Sequence, residues 1–310
     1  MDLHLDFFWR ERMIIIKVNG GLGNQLQQYA LYDKMKAMGK EVKLDLTWFE
    51  KDMEKASRRI LELNYFSDIT YEVATQKEIK EVLGNRNIFI KCLEKLHLKE
   101  CPLYIEHQMY DPGIFELKNK ILEGYWACES YYADRIWDLC KQLEFPSNIS
   151  DENKRMKEKI QKYNAVSIHV RRGDYLTEEN QRMFGGICTK QYYEEAIKLI
   201  KEKIERPHFF IFSDDSAYVK EHYSNEDFTV VDINHGINSF WDMYLMSQCK
   251  HNICANSTFS FWGARLNRNM NKVMIRPLKQ KNCDWYNPDE MKQLWQGWSL
   301  VDEEGNRIAE

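Results

Sequence analysis

The stretch Val166-Ser-Ile-His-Val-Arg-Arg-Gly-Asp-Tyr175 begins as a short apolar run and breaks into two arginines, a glycine and a carboxylate. This pattern predicts a β-strand that ends in a binding or catalytic site. The planar guanidinium of arginine matches phosphate oxygens bidentately, and Gly173 allows a sharp turn of the backbone. Taken alone, Arg171 and Arg172 are equally well explained as exposed charges on a surface turn. The surrounding sequence has to decide between these interpretations.

The sequence around this stretch alternates between short apolar runs and amphipathic segments. The runs predict strands at 165–170, 208–213, 228–231, 252–255 and 272–276, and the amphipathic segments predict helices at 190–204, 217–222, 238–248 and 259–269. Strands that alternate with helices on short connections indicate a parallel, doubly wound sheet. In such a sheet the ligand lies beyond the carboxyl ends of the strands, so the residues that follow each strand are the candidate site residues.

Polar residues follow each of the first four of these strands. They are His169 and Arg171 to Asp174 at the first, Ser213, Asp214 and Asp215 at the second, Asp232 and Asn234 at the third, and Asn256, Ser257 and Thr258 at the fourth. Asp214, Asp215 and Asp242 are placed to accept hydrogen bonds from a ribose or a purine. Asp214 and Asp215 are also explained as the cap and first turn of the next helix.

The segment Asn256-Ser-Thr-Phe-Ser260 places hydroxyl groups where a helix begins. Side-chain hydroxyls and unpaired backbone N–H groups could converge there on one phosphate. The alternative is simple capping by Ser257 or Thr258, with Phe259 in the core. The guanidiniums at the first strand end would face the same edge of the same sheet, which favours the phosphate site.

The first half of the chain begins with a strand at 13–18, a glycine turn and a helix. Gly21 and Gly23 could expose backbone N–H groups to an anionic or polar ligand, or could form a tight turn without one. The dinucleotide fingerprint requires a small residue at position 26 but meets Leu26. Further elements are predicted as strands at 41–45 and 121–126 and a helix at 130–143, with Ile60 and Trp137 buried.

Length and composition predict two domains in a cytoplasmic protein. The 310 residues include 44% hydrophobic residues, enough for two ordinary cores, and the pattern breaks at Pro146. The predicted domains are residues 13–150 and 160–280, followed by a tail at 281–310 to which no packing is assigned. The net charge of −4 comes from 44 basic and 48 acidic residues that are well mixed, which excludes a nucleic-acid-binding footprint.

Neither an integral membrane segment nor a metal centre is predicted. No apolar run reaches the roughly 18 residues that span a bilayer, and residues 1–12 do not resemble a signal peptide. The eight cysteines lack zinc-binding spacing and are predicted to be reduced and mostly buried. Because Asp-x-Asp and P-loop motifs are absent, arginine and a helix N-terminus would have to stabilise a leaving diphosphate without a metal.

Four segments, in order and spacing, resemble motifs of the α-1,2-fucosyltransferases of glycosyltransferase family 11. They are Gly20-Gly-Leu-Gly-Asn-Gln25, the segment from His169 to Tyr175, Phe212-Ser-Asp-Asp215 and Asn256-Ser-Thr-Phe-Ser260. Leu122-Glu-Gly-Tyr-Trp126 is also similar to that family. The resemblance implies an α/β fold of glycosyltransferase B type, with two Rossmann-like domains whose parallel sheets face a cleft.

The resemblance also implies an activity. It is the inverting transfer of L-fucose from GDP-β-L-fucose to the 2-hydroxyl of a terminal galactose on an oligosaccharide acceptor, with no metal or other cofactor. The chain is similar to bacterial members, since vertebrate relatives carry a membrane anchor. Two alternatives remain: a non-catalytic GDP-sugar or glycan-binding protein of the same fold, and a dehydrogenase that uses the glycine turn, against which Leu26 argues.

Residue roles follow from the resemblance together with the strand-end positions. Arg171 would hold the diphosphate, and His169 and Asp242 would lie near guanine. Asp174 is preferred over Glu178 and Glu179 as the catalytic base. The complete expected donor-binding set is His169, Arg171, Asp214, Asp242, Asn256, Ser257, Thr258, Phe259 and Ser260, and Gly21, Gly23, Asn24 and Gln25 are expected on the acceptor side of the cleft.

Overall fold

The computed structural model describes residues 13–50, 59–96, 98–283 and 287–308. The chain divides into two compact units, residues 1–144 and 145–310. Residues 1–12, which are predicted to differ from a signal peptide, lie outside the described residues. The predicted α/β class is confirmed, because each unit contains a parallel sheet with helices between its strands.

The first unit contains four parallel strands in the order β2-β1-β4-β3. They are β1 (Ile14–Lys17), β2 (Val42–Asp45), β3 (Leu103–Ile105) and β4 (Lys120–Glu123). In β1 the consecutive residues Ile14, Ile15 and Ile16 are all fully buried. A strand buried on both faces has a continuous apolar sequence. The apolar run alone therefore located this strand.

In the described part of the first unit the α-helices are α1 (Leu22–Ala37), α2 (Gln76–Leu83), α3 (Ile88–Lys95) and α4 (Ile136–Gln142). The helix predicted at 130–143 was too long, since a 3-10 turn at Glu129–Tyr131 precedes α4. Tyr131 and the next residue, Tyr132, are both buried. The turn ends at Tyr132, whose φ of −141° departs from helical backbone, so no continuous helix runs from 130 to 143.

The predictions that Trp137 and Ile60 are buried were wrong. On α4 the side chain of Leu139 is fully buried, and Trp137, two positions away and therefore on the opposite side of the helix, is 56% exposed. Ile60 is 42% exposed. Its contribution to the unit is its backbone carbonyl, which accepts a hydrogen bond from Gln25 at 2.9 Å.

The second unit contains a seven-stranded sheet in the order β11-β10-β9-β8-β5-β6-β7. All neighbours are parallel except β10 and β11. The strands are β5 (Asn164–Val170), β6 (Pro207–Ser213), β7 (Phe228–Val231), β8 (His251–Ile253), β9 (Met274–Pro277), β10 (Ser299–Val301) and β11 (Arg307–Ile308).

Helices cover both faces of this sheet, and alternation along β5 and β6 assigns side chains to each face. Val166, Ile168 and Val170 pack with residues of the helices that follow β5 and β6. Ala165, Phe210 and Phe212 pack with residues of the helices that precede β5 and β8. The helices are α5 (Asp151–Gln161), α6 (Glu178–Phe184), α7 (Lys190–Lys203), α8 (Ser216–His222), α9 (Phe240–Gln248), α10 (Thr258–Arg265) and α11 (Pro288–Leu294).

The C-terminal segment, to which the sequence assigned no packing, completes the core of the second unit. It supplies β10, β11 and α11. Trp295 is 2% exposed, and its ring centroid lies 5.6 Å from that of Phe261. The guanidinium carbon of the buried Arg276 lies 3.5 Å from the Trp295 ring centroid. The tryptophan therefore joins the tail to α10 and β9.

We expect Trp295→Ala to lower the free energy of unfolding by about 3–5 kcal/mol, because it leaves a cavity under the tail and removes the ring above Arg276. Urea denaturation followed by circular dichroism measures the change. Trp137→Ala is the matched control and should cost less than about 1 kcal/mol, since its ring is mostly in solvent. Equal losses for both variants would contradict the assignment of the tail to the core.

Candidate active site

The register between β5 and β6 determines which charges meet at their carboxyl ends. Val170 pairs with Ser213 at the end of the two strands, so the next residues continue in parallel. Nη1 of Arg171 lies 2.7 Å from Oδ2 of Asp214. Nε of Arg172 lies 3.0 Å from Oδ2 of Asp215. Each arginine therefore forms an ion pair with the acid opposite it on the neighbouring strand.

The two arginines differ in the side of the sheet that they serve. The guanidinium carbon of Arg172 lies 3.6 Å from the ring centroid of Tyr218 on α8. Arg171 follows the alternation of Ser167 and His169 onto the other side, and its guanidinium carbon lies 5.6 Å from the Tyr175 ring centroid. Arg172 thus packs against α8. Arg171 lies on the same side of the sheet as His169.

Asp214 and Asp215 both serve the turns that follow the strands. Asp215 caps α8, because its Oδ1 accepts a hydrogen bond from the backbone N–H of Tyr218 at 3.0 Å. That hydrogen bond, together with the Arg172 side chain, lowers the pKa of Asp215. Asp214 accepts from the backbone N–H of Arg172 at 2.8 Å in addition to its pair with Arg171.

Gly173 is required by the approach of Asp214. A Cβ at position 173 would lie 2.4 Å from Oδ2 of Asp214. No side chain tolerates that distance next to a carboxylate that is itself held by two partners. The glycine that the sequence suggested for a sharp turn is therefore explained by close packing against an acid.

His169 is a buried, uncharged histidine at the end of β5. Its side chain is only 5% exposed, and burial together with the positive charge of Arg171 lowers the pKa of His169 to about 4. Its Nδ1 is buried and has no hydrogen-bond partner within the part of the chain that the structure describes. The imidazole is thus neutral at physiological pH, and one of its buried ring nitrogens has an unused hydrogen-bonding capacity among the described residues.

Asp242 is the last of three polar side chains that are linked by hydrogen bonds. Asn234 Nδ2 donates to Oδ1 of Asp242 at 2.8 Å and to Oδ1 of Asn153 at 3.0 Å, and Asn153 Nδ2 donates back to Oδ1 of Asn234 at 2.8 Å. Burial raises the pKa of Asp242 to about 7, although the Asn234 hydrogen bond acts in the opposite direction. These hydrogen bonds connect α5, the segment after β7, and α9.

Sequence reasoning missed Asn153 as a site residue. It lies on α5, in which most of the other residues are charged. Asn153 is only 2% exposed, and its side chain is hydrogen-bonded to Asn234, which is 81 residues away in the sequence. The available signal was local. Ser150 caps α5 by accepting from the backbone N–H of Asn153 at 3.2 Å, which placed the residue in the first turn but did not indicate its distant partner.

The start of α10 combines residues with and without access to solvent. Asn256 is buried, and its Nδ2 donates to the carbonyls of Phe184 at 3.1 Å and Gln280 at 3.2 Å. Ser260 is also buried, and its hydroxyl donates to the carbonyl of Ser257 at 3.2 Å. Both side chains shape the turn. The three residues between them, Ser257, Thr258 and Phe259, are only partly buried.

Ser257 caps α10, as the alternative interpretation of the sequence expected. Its hydroxyl oxygen accepts from the backbone N–H of Phe259 at 3.3 Å. The ring centroid of Phe259 lies 5.9 Å from that of His169. This contact brings the start of α10 next to the end of β5, so two of the predicted motifs meet.

The candidate bases lie on the segment after Arg172. The backbone of Asp174 belongs to a 3-10 turn, Gly173–Leu176, and its side chain lies outside the described part of the structure. Glu178 and Glu179 are exposed in the first turn of α6, and Glu178 pairs with Arg182 at 2.5 Å.

The glycine turn of the first unit is held by Gln25 and by the first residues of α1. The Gln25 amide donates to the carbonyls of Gly20 and Ile60, both at 2.9 Å, and its oxygen accepts from the backbone N–H groups of Glu62 at 2.8 Å and Leu63 at 3.2 Å. Gln25, which was expected on the acceptor side, is therefore fully buried and ties the turn to a distant segment.

Gly20 and Glu62 determine which ligand could bind at the N-terminus of α1. Gly20 has φ of 78°, in the left-handed region, and a Cβ there would lie 2.6 Å from Nδ2 of Asn24. Gly21 is the N-cap of α1, and Gly23 is buried in its first turn. The backbone N–H of Leu22 donates to the Glu62 carboxylate, whose pKa is raised by burial. A protein carboxylate thus occupies the position at which a dinucleotide phosphate would bind.

The described residues contain neither a candidate metal centre nor a helix that could span a membrane. No group of three His, Cys, Asp or Glu side chains there could hold a metal ion. Within the same residues no helix has the length and apolar character needed to cross a membrane. All eight cysteines are free, but only Cys128, Cys249 and Cys254 are fully buried, so the expectation that most are buried was wrong.

Comparisons with known proteins agree on one family. The family model described as glycosyl transferase family 11 matches residues 121–299. An α-1,2-colitosyltransferase of Escherichia coli is 31% identical over 289 residues, which cover 91% of this chain and 95% of the relative. The O-antigen biosynthesis glycosyltransferase WbnK of Escherichia coli is 31% identical over 299 residues, covering 84% and 93%.

More distant matches include a human enzyme and a solved structure. The human galactoside α-(1,2)-fucosyltransferase 1 is 34% identical over 103 residues, which cover 33% of this chain and 28% of that protein. The crystal structure of fucosyltransferase NodZ from Bradyrhizobium is 15% identical, with a TM-score of 0.43, and the match covers 82% of this chain and 92% of NodZ.

We expect the carboxyl group of Asp242 to titrate with a pKa near 7. Asn234→Ala should raise this pKa further, because the N–H donor that it removes stabilises the charged carboxylate. Carboxyl-carbon NMR measures both values. The folded pKa lies above the unfolded value of about 4, so this residue makes stability fall as pH rises from about 4 to 7. Asp242→Asn should remove that contribution, and a wild-type midpoint below pH 5 would contradict the burial of the carboxyl group.

Proposed function

Because the chain belongs to glycosyltransferase family 11, we propose that it transfers L-fucose from GDP-β-L-fucose to the 2-hydroxyl of a terminal galactose, with inversion and formation of an α-1,2 linkage. The observation that carries this proposal is the arrangement at the end of β5. There Arg171 is aligned by Asp214 beside a neutral histidine and near the start of α10.

Arg171 is proposed to stabilise the leaving diphosphate. Cleavage of the bond between fucose and GDP leaves negative charge on the β-phosphate, and a positioned guanidinium stabilises such charge. The partly buried Ser257 and Thr258 at the start of α10 would add hydroxyl and backbone N–H donors to the same phosphates. We propose that this combination replaces a metal ion, in a fold of glycosyltransferase B type.

His169 and Asp242 are proposed to recognise the guanine base. A carboxylate accepts hydrogen bonds from two neighbouring N–H groups, as guanine presents on its Watson–Crick edge. Asp242 is aligned for this by Asn234, and Nδ1 of His169, which is buried without a hydrogen-bond partner among the described residues, would supply a further polar atom. Bound guanine would stabilise the ionised form of Asp242 and lower its pKa below about 7.

Asp174 is proposed to remove the proton from the acceptor hydroxyl as it attacks the anomeric carbon. An inverting transfer needs one displacement, in which the oxygen loses its proton while the bond to the diphosphate breaks. Asp174 lies in the 3-10 turn Gly173–Leu176, three residues after Arg171. One short segment would therefore supply both the base and the group that stabilises the diphosphate.

A related sugar is a second candidate for the donor. The α-1,2-colitosyltransferase of Escherichia coli matches 91% of this chain, and a nucleotide-activated colitose is therefore the alternative to GDP-fucose. A non-catalytic protein with the same fold would bind GDP without transferring either sugar.

We expect the purified protein to release GDP and form a fucosylated product when GDP-fucose and lactose are supplied together, with or without EDTA. Mass spectrometry and NMR of the product identify the linkage. A parallel reaction with activated colitose compares the two donors. GDP binding with no transfer from either donor to any galactoside in a panel would support the non-catalytic alternative, and loss of activity in EDTA would contradict metal independence.

We expect Arg171→Ala to lower kcat by about 10²–10³-fold or more, since one donor to a developing charge is lost. Arg172→Ala is the matched control, because that side chain packs on Tyr218 and pairs with Asp215. It should lower the melting temperature while the catalytic constants stay within about tenfold of wild type.

The opposite pattern for the two arginines would contradict the assignment of Arg171. The same assay on Asp174→Asn tests the proposed base. If stabilisation of the diphosphate dominates the rate, this variant loses less activity than Arg171→Ala.

A further inference from the structure

A cavity of about 210 Å³ lies in the first unit, and none of the residues that line it belongs to the set assigned to the donor. Its walls come from the residues at the carboxyl ends of β1, β2 and β4 and from the segments that follow them. In a parallel sheet this end is where ligands bind. Pockets for drug-sized ligands hold roughly 300–1,000 Å³, so this cavity suits a smaller group, such as one sugar ring.

The charges of the cavity argue against an anionic ligand. Nζ of Lys17 lies 2.8 Å from Oε2 of Glu123, so this lysine is already paired. Asp45 adds a second carboxylate, which is 3% exposed and accepts from the backbone N–H of Thr47 at 2.9 Å. Two carboxylates and one lysine leave a negative balance. This balance disfavours a phosphate and favours a neutral polar ligand.

Aromatic side chains complete the walls of the cavity. Trp48 and Tyr125 both line it, and Tyr125 is 47% exposed. Sugar rings carry C–H groups on their faces and hydroxyl groups around their edges. The face of an aromatic ring carries negative charge density and attracts the C–H groups. Carboxylate oxygens accept hydrogen bonds from the hydroxyl groups. The cavity offers both kinds of contact.

The backbone around Tyr125 is held in an unusual conformation. The next residue, Trp126, is fully buried yet has φ of 51°, in a region that bulky residues rarely adopt. A Cβ on the preceding Gly124 would lie 2.6 Å from Cβ of Glu106, whose carboxylate accepts from the backbone N–H of Tyr125 at 2.9 Å. Strain of this kind persists only where the surroundings impose it, and it concentrates at functional sites.

Packing of the Trp126 ring maintains this conformation. Its centroid lies 5.6 Å from that of Tyr131 and 6.2 Å from that of Tyr104. The carbonyl of Gly124 accepts from Nε2 of Gln28 at 3.0 Å. The segment Leu122-Glu-Gly-Tyr-Trp126 is thus fixed on both sides of Tyr125, and its one partly exposed ring is directed to the cavity wall.

We propose that this cavity binds one neutral sugar ring of the acceptor glycan, with Trp48 and Tyr125 packing on the ring and Asp45 and Glu123 accepting hydrogen bonds from its hydroxyl groups. The inference rests on the proposed function for the identity of the acceptor. The cavity itself depends only on residues of the first unit.

The test separates acceptor binding from donor binding. In Tyr125→Ala and Trp48→Ala, initial rates at saturating donor should show the KM for the acceptor raised about tenfold or more. The KM for the donor and the Kd for GDP should stay within twofold of wild type. Tyr125→Phe keeps the ring and should retain most of the affinity, and Trp137→Ala, an exposed tryptophan of the same unit, is the matched control.

A direct binding measurement keeps the inference independent of catalysis. Saturation-transfer NMR with lactose and other galactose-terminated oligosaccharides, without donor, should show contact in wild type and Trp137→Ala and a loss of contact in Tyr125→Ala. If the wild type binds these sugars but transfers nothing, the proposed function fails and the cavity assignment stands.

Two outcomes would overturn the cavity assignment. One is an unchanged acceptor KM and unchanged NMR contacts in both alanine variants whose circular dichroism matches wild type. The other is competition by inorganic phosphate or GDP for the same contacts, which would show that the cavity takes an anion.

Discussion

The parallel register between β5 and β6 is the constraint on which the candidate donor site depends. It sets Val170 opposite Ser213, and two consecutive arginine–aspartate pairs follow from that one alignment. Because side chains alternate across a strand, a shift of one residue would send each arginine to the other side of the sheet. His169 and Arg171 would then both face α8, and Arg172 would face the side on which Phe259 lies. The chemistry of the site is thus decided by hydrogen bonds in the sheet below it.

The four charges at these strand ends cancel, and this shapes how an anion could be recognised. Arg171 is held by Asp214, so a diphosphate would have to share that guanidinium with a carboxylate. His169 adds no charge, since the pKa of His169 is lowered to about 4. Recognition then depends on directed hydrogen bonds from Arg171 and the start of α10 more than on a general excess of positive charge.

Much of the second unit was predictable because its longer strands form short runs of apolar and β-branched residues. The strand predicted at 165–170 is observed at Asn164–Val170, and the one at 228–231 has the observed bounds. The side of each arginine was also present in the sequence. Val166, Ile168 and Val170 alternate with Ser167, His169 and Arg171, so Arg171 belongs to the polar series.

Features that depend on distant partners were not predictable. Gln25 looked like a residue of the glycine turn, but its amide spans to Ile60 and Leu63. Asn153 joins the polar side chains that end at Asp242 only because Asn234 lies beside it. The strands β10 and β11 contain three and two residues, which is too short for an alternating pattern. Their place in the sheet comes from contacts such as that between Trp295 and Arg276.

Each of the two candidate sites is assembled within one compact unit. The arginine–aspartate pairs, His169 and Asp242 lie in residues 145–310, and the cavity beside Tyr125 lies in residues 1–144. Under the proposed roles, the second unit binds the activated sugar and the first binds one ring of the glycan. Mutations in one half of the gene would then change one of these two preferences while the other stays the same.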